Sequence, residues 1–359
     1  MKLARSIQNG IGFSATHAVG IQTGDLPRSE EVAKDTRIER VLGSGITGNI
    51  GRVLKVLLWQ PRVYRAYRSR SVSVVAAHNV WVLPLCYRIA RRTGAAFVYN
   101  PHELETETVA MSGIKQRLAR LIERRHIHKV DLCCTVNESI SDWYAERYGI
   151  ARPTAVTNVP VDAPRSRAHL RQELGVTDEE MLFAHTGHLT DGRSIPLILD
   201  AFAQLPTRHV VFIGDGPLGD EVRQAAERFP NIHWREPVDP DSVVSFVREA
   251  DAALCLIEGS HLSLQLSTPN KLFESLASAT PVVASDLVEI RRVLGEAGRR
   301  WIVEDPHTLR AFIDSITRDD VKEFATSWAG IGTWDAQVAP LVEGYRRLVS
   351  SRSEQPRSR

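Results

Sequence analysis

Cysteine is scarce in this chain: four in 359 residues, Cys86, Cys133, Cys134 and Cys255, and none stands at a metal-ligand spacing. Two of them are adjacent and poorly placed for a structural bridge, so buried reduced thiols are expected. Long apolar runs are missing as well. No uncharged stretch approaches the roughly 18 residues needed to span a bilayer, and the start lacks the basic-then-apolar layout of a signal peptide. A cytoplasmic location is the resulting expectation. Acidic residues are absent from one long segment, for none occurs between Glu39 and Glu103, where Arg40, Arg52, Lys55, Arg62, Arg65, Arg68, Arg70, Arg88, Arg91 and Arg92 all fall. The net charge of +2 therefore conceals a basic N-terminal half. Within it, GRVLKVLLWQPRVYRAYRSR interleaves Leu, Trp and Tyr with Arg. Two readings stay open: an interfacial helix making a peripheral contact with anionic lipid, or a solvated helix whose aromatic residues are core, with Pro61 interrupting the pattern in either case. Nucleic acid is not an expected partner, because no recognised binding motif accompanies the charge.

Short apolar runs alternate with helical patterns through the rest. VSVVAAHN, AAFVYNPHE, DLCCTVN and PTAVTNVPV read as buried strands separated by segments such as IKQRLARLIERRHIHKV, on which His126 and His128 are expected to be solvated. After VDAPRSRAHLRQELG the rhythm restarts with MLFAHTG, HVVFIGDG, NIHWREPV, AALCLI and TPVVAS. The expectation is an α/β chain of two doubly wound halves that bind ligands at the carboxyl ends of their strands, facing across a cleft. The boundaries expected are 1–164, with its first strand missing because MKLARSIQNGIGFSATHAVGIQTG reads as helix then strand, then 165–332, a closing helix over 333–349 and a disordered tail over 350–359.

The richest segment is STPNKLFESLASATPVVAS, from Ser267 to Ser285. Ser267 or Thr268 is expected to cap a helix with Pro269 at its first position, so that the free amides and positive dipole end point into the preceding loop. Lys271 adds a full charge there, and Glu274 shares its face at i+3. That layout suits a ligand with phosphate at one end and a ribose diol a turn further on, although an ordinary Lys–Glu surface pair has the same spacing. Three more strand ends carry ligand-type residues. HTGHLTDGRS turns through Gly187 and Gly192 and sets the fork-shaped donor Arg193 before a helix. VVFIGDGPLGDEV ends in Gly214-Asp215-Gly216, a tight turn expected to let a ligand ring approach the backbone. NPHELETE puts His102 and Glu103 at the end of a first-half strand, with His78 ending another and Glu105 and Glu107 following.

In order, GHLTDGR, FIGDGP, ADAAL and STPNKLFESLASATPVVAS resemble the C-terminal domain of the GT-B nucleotide-sugar glycosyltransferases of family four, a retaining family. YNPHEL, ERRHIHKVD and TNVPVD are similar to its N-terminal half, and TWDAQVAPLVEGYRRL to its closing helix. The resemblance spans roughly residues 70 to 349 and is most specific in PNKLFE. It implies that Arg193 and Lys271 hold the donor diphosphate, that Glu274 takes the ribose hydroxyls, and that Gly187, Gly214, Asp215, Gly216 and Asn270 complete the donor site. His102 would face the sugar, and Glu103 is the candidate acceptor contact. No metal or cofactor is implied beyond the nucleoside-diphosphate sugar itself. The family pattern also has a glutamate near the donor sugar where this chain has Leu266, leaving Glu258, His261 or backbone amides to supply that contact.

The expected function is therefore metal-independent transfer of a sugar, with retention, to a glycan or lipid-linked acceptor of a cell-surface polysaccharide. A nucleotide-sugar epimerase of the same fold and a non-catalytic sugar-nucleotide-binding partner are the alternatives.

Overall fold

The computed structural model describes residues 2–22, 25–42, 48–161 and 169–353, the side chains of 48–54 and 353 excepted. The chain folds as two compact units, Met1–Thr157 with Asp335–Arg359, and Asn158–Trp334. The division falls at Thr157, where a boundary at 164 was expected; residues 162–168 of the linker segment lie outside the described residues, and Leu170–Leu174 of it form a short helix. The closing helix runs Trp334–Ser353, so 350–353 are helical rather than part of a disordered tail, and it packs in the first unit. There Arg346 donates to the Gly10 carbonyl at 3.1 Å, Arg352 to the Gly94 carbonyl at 2.6 Å and to Asp131 at 2.8 Å.

In the first unit, β1 (Thr16–Ile21), β2 (Ser29–Ala33) and β3 (Thr36–Val41) form a small sheet in the order β1-β3-β2, with β1 parallel and β2 antiparallel to β3. The chain does open with a helix, Lys2–Ile11, followed by a strand. A second, wholly parallel sheet follows in chain order, of β4 (Val74–Ala77), β5 (Ala96–Tyr99), β6 (Leu132–Thr135) and β7 (Thr154–Ala155). Of its two inner strands, β5 is buried at every position, as expected where helices cover both faces.

The helix Gly48–Tyr67 settles one open reading. It runs through Pro61 instead of stopping there. Trp59, Val63 and Tyr67, four residues apart on one face, are buried against Leu85 and Ile89, and Trp59 Nε1 donates to the Gly20 carbonyl at 2.9 Å. Trp59 and Tyr67 are thus core and Tyr64 packs against them, while Leu57 and Leu58 on the same helix stay 61% and 43% exposed.

The second unit holds one six-stranded parallel sheet, of β8 (Met181–Thr186), β9 (Arg208–Ile213), β10 (Ile232–Arg235), β11 (Ala252–Cys255), β12 (Val282–Ser285) and β13 (Ile302–Val303), in the order β10-β9-β8-β11-β12-β13. Strand order reverses between β8 and β11. In open α/β sheets that switch point leaves a crevice outside the strand ends, because the flanking crossovers diverge to opposite faces. Phe183, Phe202 and Phe212 are fully buried beside it and fix the strands from below.

Candidate active site

The turns that follow β8 and β9 are locked to each other. Gly187 donates to the Ile213 carbonyl at 2.9 Å, Leu189 to that of Asp215 at 3.0 Å, and Leu218 to that of Leu189 at 3.0 Å. Glycine is needed here for a reason other than ligand access. A Cβ on Gly214 would overlap the Gly187 carbonyl oxygen and lie 2.9 Å from its carbon, and one on Gly216 would lie 2.9 Å from the Leu189 carbonyl carbon. The two glycines thus let backbone meet backbone, a requirement that stands beside the expected approach of a ligand ring to the turn. Asp215 shapes the same turn: its Oδ1 accepts from the Gly216 amide at 2.7 Å and its carbonyl accepts from His188 Nδ1 at 2.8 Å.

At the β8–β11 crevice the structure brings Lys271, Arg193 and Glu274 together. Lys271 and Glu274 stand on the helix Asn270–Ala277, whose inward residues Leu272, Phe273 and Leu276 are buried. The helix begins one residue later than expected: Pro269 occupies the cap position, and the Ser267 hydroxyl donates to the Leu264 carbonyl at 2.9 Å. Asn270 at its start accepts a hydrogen bond from Asn158 at 2.9 Å.

Lys271 forms no salt bridge with Glu274. Its ammonium meets His185 Nε2 at 3.1 Å, on the penultimate residue of β8. His185 is wholly inaccessible, and burial, with Lys271 and Arg193 adding, holds it well below the usual histidine range. A neutral imidazole that accepts at Nε2 carries its proton on Nδ1, and that buried nitrogen has no partner among the described residues. Burial brings the Lys271 ammonium down to about 8, the charge of Arg193 pushing the same way and Cys255 and Glu274 opposing. The Glu274 carboxyl is raised by burial, against the pull of Lys271. Arg193, half-buried, has no carboxylate partner among the described residues. Two cations thus share one crevice, and neither forms an ion pair among the described residues.

His185 is the site residue that sequence reasoning missed. Its one signal is a polar side chain inside the apolar run MLFAHT. The lone pair it offers stabilises the charged form of Lys271, so His185→Leu is expected to shift the alkaline limb of activity from about 8 toward neutrality, by roughly one unit. His185→Gln, which restores an acceptor, should bring it back. An unmoved limb in the kcat/KM profile of His185→Leu would break the link.

Leu266, the family's glutamate position, is buried. Glu258 and His261 are exposed on the neighbouring loop, with His261 Nδ1 3.0 Å from the Ser260 hydroxyl. A cleft of about 520 Å³ adjoins the Arg193 turn and is lined by Ser194, Glu258, Gly259, Gln265, Ser285 and Asp286 among others. Neither Lys271 nor Glu274 lines it.

In the first unit, His102 stacks on His78 with centroids 5.3 Å apart. Crowding by protein lowers both, His78 to about 4, so each ring is a neutral donor or acceptor near neutral pH. The three glutamates that follow separate by environment. Glu105 is buried, accepts from Asn79 at 2.7 Å and is pushed up to about 7 by burial, with Glu103 adding. Glu107 binds Arg120 at 2.9 and 2.6 Å. Glu103 stays exposed, without a hydrogen-bond or ion-pair partner among the described residues. His128 is exposed, but His126 is buried, its Nδ1 donating to the Ile122 carbonyl at 2.7 Å, which corrects the expectation of a solvated side chain.

Residues 14–162 match the family described as a glycosyl transferase 4-like domain, and residues 180–319 match glycosyl transferases group 1. The phosphatidyl-myo-inositol mannosyltransferase of Mycolicibacterium smegmatis is 32% identical over 120 residues, 33% of this chain and 30% of that protein. The teichuronic acid biosynthesis glycosyltransferase TuaH of Bacillus subtilis is 30% identical over 110 residues, 30% of this chain and 28% of that protein. The matched stretch therefore spans less than a third of either relative. Among solved structures, sucrose-phosphate synthase from Thermosynechococcus elongatus superposes with a TM-score of 0.75 at 15% identity, over 98% of this chain and 92% of that one. HepE of Anabaena, solved with UDP-glucose, superposes with a TM-score of 0.60 at 15% identity, over 88% and 85%. With a glycosyltransferase match on each half and two Rossmann-like domains, the chain belongs to the family-four glycosyltransferases of the GT-B fold.

Proposed function

We propose that the chain transfers a glycosyl group from a nucleoside-diphosphate sugar to a glycan or lipid-linked acceptor in cell-surface polysaccharide synthesis, with retention and without a metal. The observation that carries this is the Lys271–Arg193 pair, two cations at the switch point with no carboxylate bound to either. In the reaction the anomeric C–O bond to the diphosphate breaks, a new C–O bond forms to the acceptor hydroxyl, and that hydroxyl's proton passes to the departing phosphate. Negative charge grows on the diphosphate as the bond lengthens. Fixed cations and the first amides of the Asn270–Ala277 helix stabilise that charge more in the transition state than in the ground state, which is what accelerates the step. Glu274 accepts from the ribose diol, Gly187, Gly214, Asp215, Gly216 and Asn270 line the donor, and His102 and Glu103 serve sugar and acceptor from the first unit.

A lipid-linked acceptor is supported by the phosphatidyl-myo-inositol in the name of one relative, and a glycan acceptor by the teichuronic acid in that of the other. Among the described residues no helix is long and apolar enough to cross a membrane. The location proposed with this acceptor is the cytoplasm, with peripheral contact at the inner membrane face. The test is nucleotide release from a panel of nucleotide sugars with and without membrane extract. Release that requires extract supports transfer. An isomerised donor would favour the epimerase, and binding without turnover the non-catalytic partner.

Glu274→Gln is expected to weaken nucleoside-diphosphate binding about 10- to 100-fold, the worth of a charge-assisted hydrogen bond, as read by titration calorimetry. Unchanged affinity would remove the ribose role.

A further inference from the structure

We infer that the outer face of the helix Gly113–His126 is a docking surface for an anionic lipid bilayer. Ile114, Leu118 and Leu121 recur at i, i+4 and i+7, which places them on one stripe of the helix. All three point to solvent, 83%, 47% and 61% exposed, and Val109 in the preceding segment is 58% exposed. Lys115, Arg117, Arg124 and Arg125 are exposed around the stripe. The helix's one acidic residue, Glu123, is turned fully inward, where the hydroxyls of Tyr99, Tyr144 and Tyr148 each donate to it at 2.7 Å. Ala119 and His126 are buried on that same inner side. The helix is therefore pinned by its polar side and shows water its apolar one, the reverse of an ordinary surface helix.

The chemistry of the stripe selects its occupant. Apolar side chains flanked by arginine, with no acid on that face, match the acyl boundary and anionic headgroups of a bilayer. A second copy is disfavoured, because two-fold pairing on this stripe would set its arginines against themselves. Single-stranded nucleic acid is disfavoured too, since the stripe offers no aromatic ring for bases to stack on. The inference rests on the reading of a membrane-borne acceptor and names where the protein would touch that membrane. It replaces the Gly48–Tyr67 helix in that role.

The experiment is co-sedimentation of the full chain with vesicles of phosphatidylglycerol and phosphatidylcholine, 1:1, and of phosphatidylcholine alone. Each basic residue at an anionic surface is worth about fivefold in partitioning, so preference for the anionic vesicles should exceed roughly tenfold and fall with salt. Leu118→Asp with Leu121→Asp should lose about tenfold or more, with melting temperature and nucleotide affinity unchanged. Arg117→Glu with Arg124→Glu should lose at least about 25-fold on the anionic vesicles. The inference is overturned if the native chain ignores anionic vesicles, if the Asp pair binds as well as the native chain, or if the loss follows Leu57→Asp with Leu58→Asp instead. It is equally overturned by a concentration-dependent dimer or by single-stranded nucleic-acid binding that the Asp pair abolishes while vesicles are ignored. Vesicle binding needs no donor turnover, so its failure leaves the transfer reading standing, and absent turnover leaves the surface standing.

Discussion

Lys271→Ala is expected to lower turnover of the nucleotide-sugar donor about 100- to 1,000-fold while the chain stays folded, the loss that follows removal of one preorganised charge or donor from a developing anion. Donor affinity should fall less, because the ammonium acts most strongly once the diphosphate has gained its extra charge. Arg193→Ala should give a loss of the same order. The double variant should lose less than the product of the two, since both side chains serve one leaving group in one crevice. The native enzyme's pH profile should report the same ammonium. Lys271 carries its charge below about 8 and sheds it above, so kcat/KM should hold at neutral pH and decline as pH rises through about 8. Bound diphosphate favours the charged form, so the limb in kcat should lie at higher pH. If either alanine variant turns over like the native chain, the cations are ordinary surface charges and the proposed chemistry falls with them.

The largest structural effect is expected from Gly214→Ala. The added methyl would be driven into the Gly187 carbonyl, and because both sides of the contact are main chain, no rotamer can relieve it. The β8 and β9 turns must separate, which breaks the Gly187–Ile213 and Leu189–Asp215 hydrogen bonds that join them. A cost of about 3 kcal/mol is expected, corresponding to a fall in melting temperature of roughly 6–12 °C for a unit of this size. Gly20→Ala is the control: it sits in a strand with nothing within 4 Å of its added methyl and should change stability by less than about 1 kcal/mol. Equal melting of the Gly214 and Gly20 variants would mean that the turns are not interlocked.

The longer parallel strands were legible because a strand covered on both faces reads as a near-continuous apolar run, as AFVY and VVFI do. Strands without that character escaped. SEEVA and TRIERV, which become β2 and β3, alternate charge with apolar residues, and β13 is two residues long. The helical spacing of Lys271 and Glu274 could be read, but not what Lys271 meets, since His185 lies 86 positions away and nothing local announces the contact. Separation along the chain likewise hid the backbone contact of Gly214, whose neighbour Gly187 belongs to another turn. His126 was misread because its environment is supplied by Tyr87 and a helix carbonyl rather than by its basic sequence neighbours. Propensity and period are local quantities; packing partners are not.

The return of the Trp334–Ser353 helix to the first unit bears on how the molecule is made. Residues up to Thr157 leave the ribosome before the second unit, yet their unit still lacks a piece that is synthesised after it. The second unit, continuous from Asn158 to Trp334, can close on itself beforehand. A product cut after Thr157 would leave Leu132 without the Gly344 backbone it abuts, and Gly94 and Asp131 without their arginine. Expression of the first unit by itself therefore calls for a circular permutant or for the Trp334–Ser353 helix supplied in trans.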